Sequence, residues 1–335
     1  MTHYTEPAPA KLNLYLHVTG RREDGYHTLD SLVAFADCGD TVTVAHGQGL
    51  SLSVTGPYGD QVPSGPENLV LKAAALLADR FGIAGHAHIT LEKNLPVASG
   101  IGGGSADAAA TLRALNKLWQ LQLPDDALKL AADQIGDEPD ARLALQTLFT
   151  SWRDDLDDDK MSQLALDLGA DVPVCLEGRT VYMSGIGEQL TLAPPLPKVW
   201  VVLVNPHTAL STPDVFKART GDFSNPAPFY ETPKDAQDLA HLLKARSNDL
   251  CEPAMTLSPA IGDVLKALQD QDNCLLARMS GSGATCFGLF PNPALALKAN
   301  QQLAQKHPKW WVQTAQLMDR PISENWLQIK TSDEN

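Results

Sequence analysis

Bulky apolar and more polar positions alternate through residues 12–18 (Leu12, Asn13, Leu14, Tyr15, Leu16, His17, Val18), and a period of two returns with β-branched residues in 29–45 and 50–55. That period sends successive side chains to opposite faces of a strand, so the chain is expected to open as a strand-rich meander. From Glu67 to Phe81 the spacing becomes helical, with Leu69, Ala73, Leu76 and Leu77 on one face, and residues 86–92 return to alternation. A glycine-rich turn then opens a second helical pattern that carries Ala108, Thr111, Leu112, Leu115, Leu118 and Trp119 on one face. Prolines in 194–197 precede an almost wholly apolar strand, Val199 to Val204, and the Pro-, Asn- and Ser-rich stretch 221–233 reads as an irregular loop. Strands and helices mix without a strict alternating rhythm, which points to an α+β fold instead of a doubly wound sheet. We place the start of a second domain near residue 195, giving domains 1–195 and 196–330, with a polar, frayed tail beyond Lys330.

Composition narrows the function classes. Lys+Arg 26 against Asp+Glu 40 gives a net charge of −14, so a broad basic surface for nucleic acid or an anionic membrane is absent. Any phosphate-bearing ligand must therefore be held by a local device. The acidity is uneven: residues 133–160 carry nine acids against three bases and read as an inserted, solvated element. No run of eighteen apolar residues occurs, and residues 1–10 lack the basic start and apolar stretch of a signal peptide, so a cytoplasmic protein is expected. Cys38, Cys175, Cys251, Cys274 and Cys286 are scattered with no C-x-x-C pair, which argues against a disulfide framework and a structural zinc site. They are expected to be reduced thiols, mostly buried.

The strongest chemical signal is Pro96-Val97-Ala98-Ser99-Gly100-Ile101-Gly102-Gly103-Gly104-Ser105, placed between a strand pattern and a helix pattern. Backbone N–H groups converge at such a helix start, and glycine lets phosphate oxygens approach them. A Walker A loop is excluded because Ser105-Ala106 follows Gly104 where Lys-Ser/Thr is required. A dinucleotide fingerprint is disfavoured because Asp125 and Asp126, about twenty residues on, follow Pro124 and look like a helix start, not the end of a second strand. Three weaker clusters have ordinary readings when taken singly. Lys11 and Asn13 share one face of a strand as a surface pair would; Asp171, after Gly169-Ala170, could cap a helix; Gly281-Ser282-Gly283 could be a turn before the apolar run from Cys286.

Taken together and in order, these four clusters resemble the GHMP kinase superfamily. The resemblance runs from about residue 7 to 290 and more weakly to 318. It implies a two-domain α+β fold, with an N-terminal domain like the second domain of ribosomal protein S5 and a ferredoxin-like C-terminal domain. Gly25-Tyr26-His27-Thr28-Leu29, Glu67-Asn68-Leu69, Thr212-Pro213 with Phe216, and Ser247-Asn248-Asp249-Leu250 carry a closer match to members that phosphorylate a cytidine-diphosphate sugar alcohol. Homoserine or mevalonate types are the alternative.

The resemblance assigns roles residue by residue. Asp171 and Lys11 become the catalytic base and its cationic partner; Asn68, Lys93, Pro96, Gly100, Gly102, Gly103, Gly104 and Ser105 bind ATP; Gly281, Ser282 and Gly283 form a further glycine loop. Asn13, Tyr26, His27, Thr212 and Phe216 bind the second substrate, with Tyr26, His27 and Phe216 sandwiching and hydrogen-bonding a cytosine ring. Mg²⁺ accompanies the ATP phosphates, with Ser105 a candidate ligand. Small-molecule substrates, no nucleic acid, no membrane, and a monomer or homodimer complete the expectation. Two departures stand out: residues 128–160 exceed the family's usual connection, and Ala106-Asp107 replaces the more frequent Ser-Asn or Ser-Asp.

Overall fold

The computed structural model describes residues 2–82, 84–120 and 168–318. The acidic stretch 133–160 and the polar tail lie outside these residues. Two long strands, β1 (His3–Arg21) and β2 (His27–Ala45), pair antiparallel along their whole length. The alternation visible in 12–18 understates β1, since residues 7–18 are buried without interruption. Both faces of the strand are covered, so its apolar residues need not alternate with polar ones.

After β3 (Leu50–Thr55) come α1 (Leu69–Phe81), β4 (Ala87–Glu92), α2 (Gly103–Gln120), a short α3 (Val172–Glu177), β5 (Val181–Gly185) and β6 (Gln189–Leu192). The first sheet has the order β3-β4-β2-β5-β6, with β1 paired to β2; β3 and β4 are parallel and the other pairs antiparallel. Helices α1 and α2 pack together on one face, where Ala73, Leu77, Ala109, Leu112 and Leu115 join Val33, Val42 and Ile89 in one core. Asn68 starts α1 by accepting the Val70 N–H at its N-cap, and Gly82 ends it in the left-handed region.

The second sheet begins at β7 (Trp200–Asn205). It is followed by α4 (Thr212–Ala218), α5 (Ala236–Lys244), α6 (Cys251–Leu257), α7 (Ala260–Gln269), β8 (Leu276–Met279), β9 (Cys286–Phe290), α8 (Pro293–Lys306) and β10 (Trp311–Gln316). Its order, β10-β7-β9-β8, with every pair antiparallel, is the ferredoxin-like arrangement.

A second core cluster is shared by the two sheets: Leu12, Leu14, Tyr15 and Leu32 meet Val201, Leu203, Phe287 and Leu289. Main-chain bonds from Leu16 N–H to Ser247 O and from Met318 N–H to Phe35 O cross the same seam. The stretch 221–233 is irregular, as its composition predicts, yet it is pinned: Ser224 N–H donates to Val18 O, Ala227 N–H to the Asp30 carboxylate, and the Tyr182 hydroxyl to Phe229 O. All five cysteines are free, but only Cys175 and Cys286 are buried, which corrects the expectation that most would be.

Candidate active site

The glycine loop and the first turn of α2 form one end of a cavity of about 1230 Å³. Gly100 and Gly102 have φ of +75° and +64°, which an L side chain rarely adopts. Their second constraint is space. A Cβ on Gly100 would lie 2.4 Å from Gly283 O, and one on Gly102 would lie 3.1 Å from Lys11 Cε. The late loop is therefore no isolated turn. The Ser280 hydroxyl donates to Gly100 O and accepts the Asn13 N–H, while Thr285 N–H donates to Ser99 O. Three segments far apart in sequence thus interlock around β1.

Lys11 is only 3% exposed, and its Nζ sits 3.1 Å from Asp171 Oδ2 and 2.9 Å from Asn13 Oδ1. Asn13 is held in turn by donating from Nδ2 to the Ser31 hydroxyl at 2.8 Å. Asp171 occupies the N-cap position of α3 without making a side-chain cap, so its carboxylate, 39% exposed, faces Lys11 and the cavity. Arg113 of α2 donates from its guanidinium to Glu6, Pro7 O and Cys175 O and so ties together α2, the strand that carries Lys11 and the helix that follows Asp171.

His27, the first residue of β2, and Phe216 of α4 stand at the other end of the cavity. Their rings stack with centroids 4.9 Å apart and 19° between planes. The stack leaves no gap for a third ring between the two, so a planar ligand sandwiched by them would have to part the pair. Tyr26, at the hairpin tip, is 61% exposed. Burial, then Arg21 and then Arg219, hold the His27 imidazole below its ordinary pKa, which favours the neutral ring. The Thr212 hydroxyl lies 2.8 Å from the Ser282 hydroxyl, joining α4 to the late glycine loop.

Two expected ATP contacts are differently employed. Asn68 lines the cavity, but its carbonyl caps α1 and its amide donates to Pro63 O. Lys93 lies beneath the loop, buried, with Nζ donating to Asp40 and, at 2.8 Å, to Asp107. Its charge is thereby answered before any nucleotide arrives. Asp40 also accepts the N–H groups of Asn94 and Leu95, whereas Asp107 Oδ1 has no partner among the described residues. Burial pushes the Asp107 carboxyl well above the carboxylate range against the pull of Lys93, and the like charge of Asp40 adds to the push. Sequence reasoning misses Asp40, Ser31 and Ser280 because they sit inside ordinary strand and turn patterns. The Ala106-Asp107 departure is the one visible signal near this cluster.

The arrangement places a carboxylate beside a buried ammonium, a helix start rich in free N–H groups, and an aromatic pair along one cavity. The GHMP kinases N terminal domain model matches residues 68–142, and the GHMP kinases C terminal model matches 229–309. A 4-diphosphocytidyl-2-C-methyl-D-erythritol kinase of Paramagnetospirillum magneticum is 50% identical over 318 residues, 95% of this chain and 100% of that one; its counterpart in Rhodospirillum rubrum is 48% identical over 93% and 92%. A crystal structure of 4-(cytidine 5'-diphospho)-2C-methyl-D-erythritol kinase is similar at 32% identity and a TM-score of 0.68, covering 94% of this chain and 99% of that one. Homoserine kinase from Cytophaga hutchinsonii shares the fold at 18% identity and a TM-score of 0.63, over 96% of each chain.

Proposed function

The chain belongs to the GHMP kinase family, among its 4-diphosphocytidyl-2-C-methyl-D-erythritol kinases, and from that premise we propose how its own residues divide the work. The reaction is ATP-dependent phosphorylation of the 2-hydroxyl of 4-diphosphocytidyl-2-C-methyl-D-erythritol, a step of the non-mevalonate route to isoprenoid precursors. Relatives at about half identity over most of the chain favour it over the homoserine or mevalonate alternative.

Asp171 accepts the proton of the acceptor hydroxyl. Lys11 fixes that carboxylate by its ion pair and, within reach of the same oxygen, steadies the alkoxide as it forms. The observation that carries this reading is the 3.1 Å Lys11–Asp171 contact at the cavity wall. Asn13 acts on Lys11, holding its ammonium in place. The N–H groups of Gly102, Gly103, Gly104 and Ser105, with the positive end of α2 behind them, receive the nucleotide phosphates and bring the γ-phosphoryl into line. Asn68 and Lys93 shape that end of the cavity without lending charge. His27, Phe216 and Tyr26 hold the cytosine, and Thr212 braces α4 beside it.

Mg²⁺ suits this donor set in a limited way. Among the described residues no group of three or more His, Cys, Asp or Glu is spaced to hold an ion, so phosphate oxygens and water would supply most ligands and Ser105 Oγ one from the protein. When bound, the ion would neutralise charge on the transferring phosphates. Among the described residues no helix is long and apolar enough to cross a membrane. The enzyme so proposed is cytoplasmic, a monomer or homodimer, and acts on small molecules and not on nucleic acid. The decisive test is a parallel assay of ATP-dependent phosphorylation on the cytidine-diphosphate sugar alcohol, mevalonate and homoserine. Turnover of the first alone is expected, and comparable turnover of either other acceptor would overturn the reading.

A further inference from the structure

A net charge of −14 leaves this enzyme with a difficulty, since both of its substrates are polyanions. Of the three cavity-lining lysines two are already answered, Lys11 by Asp171 and Lys93 by Asp40 and Asp107, while Lys217, beside Phe216, adds a single ammonium without the fork geometry of an arginine. Arg21 and Arg219 line the same cavity and make no ion pair among the described residues. They come from different halves of the chain. Arg21 closes β1 and is the cross-strand partner of His27, so the two side chains leave the ladder on one face. Arg219 follows α4 three residues after Phe216, one helical turn along. Each ring of the stack thus has an arginine close by in its own segment, and both arginines line the cavity.

Both are anchored through backbone carbonyls instead of carboxylates. Arg21 Nε donates to Gly25 O at 3.4 Å; Arg219 donates to Gly221 O at 3.3 Å and to Asp222 O, with its guanidinium 5.0 Å over the Phe223 ring. Such anchoring orients a guanidinium fork and leaves its full positive charge for a ligand. The neighbouring acid, Asp24, is occupied by Arg22 at 2.8 Å and by the Tyr26 N–H.

We propose that Arg21 and Arg219 form a clamp for the diphosphate of the cytidine substrate, gripping it where the chain of the substrate leaves the His27–Phe216 stack toward Asp171. The clamp rests on the assignment of that stack to the cytosine. It gives the site a preference for a nucleoside diphosphate over the bare nucleoside, supplied by residues outside the glycine loops.

The test compares inhibition by cytidine and by cytidine diphosphate, each competing with the sugar-alcohol substrate. A phosphate held by an arginine fork should make the diphosphate at least ~10-fold the tighter ligand of the parent enzyme. Arg21→Gln and Arg219→Gln should each shrink that ratio severalfold while leaving cytidine itself and ATP binding near their parent values. A ratio that survives both substitutions overturns the clamp. Phe216→Ala should weaken both ligands by the same factor; if it weakens neither, the cytosine assignment fails on its own terms. Should a Gln variant not fold, Arg21→Lys and Arg219→Lys together with the salt dependence of binding decide the matter. Diphosphate inhibition that does not weaken with salt would count against the clamp, and weakening confined to the diphosphate would support it.

Discussion

Lys11 Nζ rests 3.1 Å from Asp171 Oδ2, joining a residue in the middle of the first strand to one 160 positions later at the head of a six-residue helix. The pair is asymmetric: the ammonium is buried, while the carboxylate is open to the cavity. The role of proton acceptor proposed for Asp171 needs that openness, and the partner role proposed for Lys11 needs a fixed ammonium. Asp171→Asn should lower kcat by about 10²–10⁴, the range for a positioned base. Lys11→Met should fall in the same range, and the double variant should be little worse than either single one, since the residues act as a unit. Steady-state kinetics of the three variants check this, and an unaffected kcat in Asp171→Asn removes it from the mechanism.

The two glycine loops touch closely enough for a methyl group to distinguish their members. Gly100→Ala forces a Cβ to 2.4 Å from Gly283 O at a positive φ, so a loss of about 2 kcal/mol or more is expected. Gly104→Ala meets nothing within 4 Å and should leave stability unchanged. Thermal melts of both variants decide, and equal melting temperatures would refute the interlock.

The buried cluster under the loop holds one ammonium between two carboxylates. Removing the cation with Lys93→Met should cost about 3–5 kcal/mol, because the buried Asp40 carboxylate loses its charge partner and Asp107 loses its hydrogen bond. Asp107→Asn should be far milder. The sign of its pH dependence follows from its raised pKa: the folded state holds the proton more tightly than the unfolded one, so stability falls as pH rises from the ordinary carboxylate value through the folded one. The Asn variant lacks that slope and should gain on the parent toward alkaline pH. Parallel melting curves across pH would sink the assignment.

Because burial and the two arginines lower the His27 pKa below 6.5, the imidazole stays neutral at neutral pH. The KM for the cytidine substrate should be flat above that value and rise only at lower pH, as the ring gains a proton and loses its acceptor. In Arg219→Gln the rise should begin at higher pH. His27→Ala and Phe216→Ala should raise this KM much more than the KM for ATP. Equal effects on both would argue against a cytosine site.

Much of the site is legible in the amino-acid sequence. The glycine loop announces itself through four glycines in five positions between a strand and a helix, and the helices at 69–81 and 103–120 through apolar spacing, because local geometry and local sequence carry the same period. Lys11, Asn13, Asp171 and Phe216 emerge only through the family resemblance, since each has a commonplace local reading. The full length of β1 is hidden because, outside 12–18, a strand covered on both faces need not alternate.

Local sequence therefore specifies the α+β class, a glycine-rich helix start of the kind that suits phosphate, and the inventory of residues able to do the proposed chemistry. Tertiary structure alone decides which of them are free to act. It places Lys93 between Asp40 and Asp107, spends Asn68 on a helix cap, stacks His27 on Phe216, and leaves Arg21 and Arg219 without carboxylate partners among the described residues. The physical reason is range: backbone periods and turn preferences act over a few residues, whereas the availability of a charge depends on whichever side chains folding brings within a few ångströms of it.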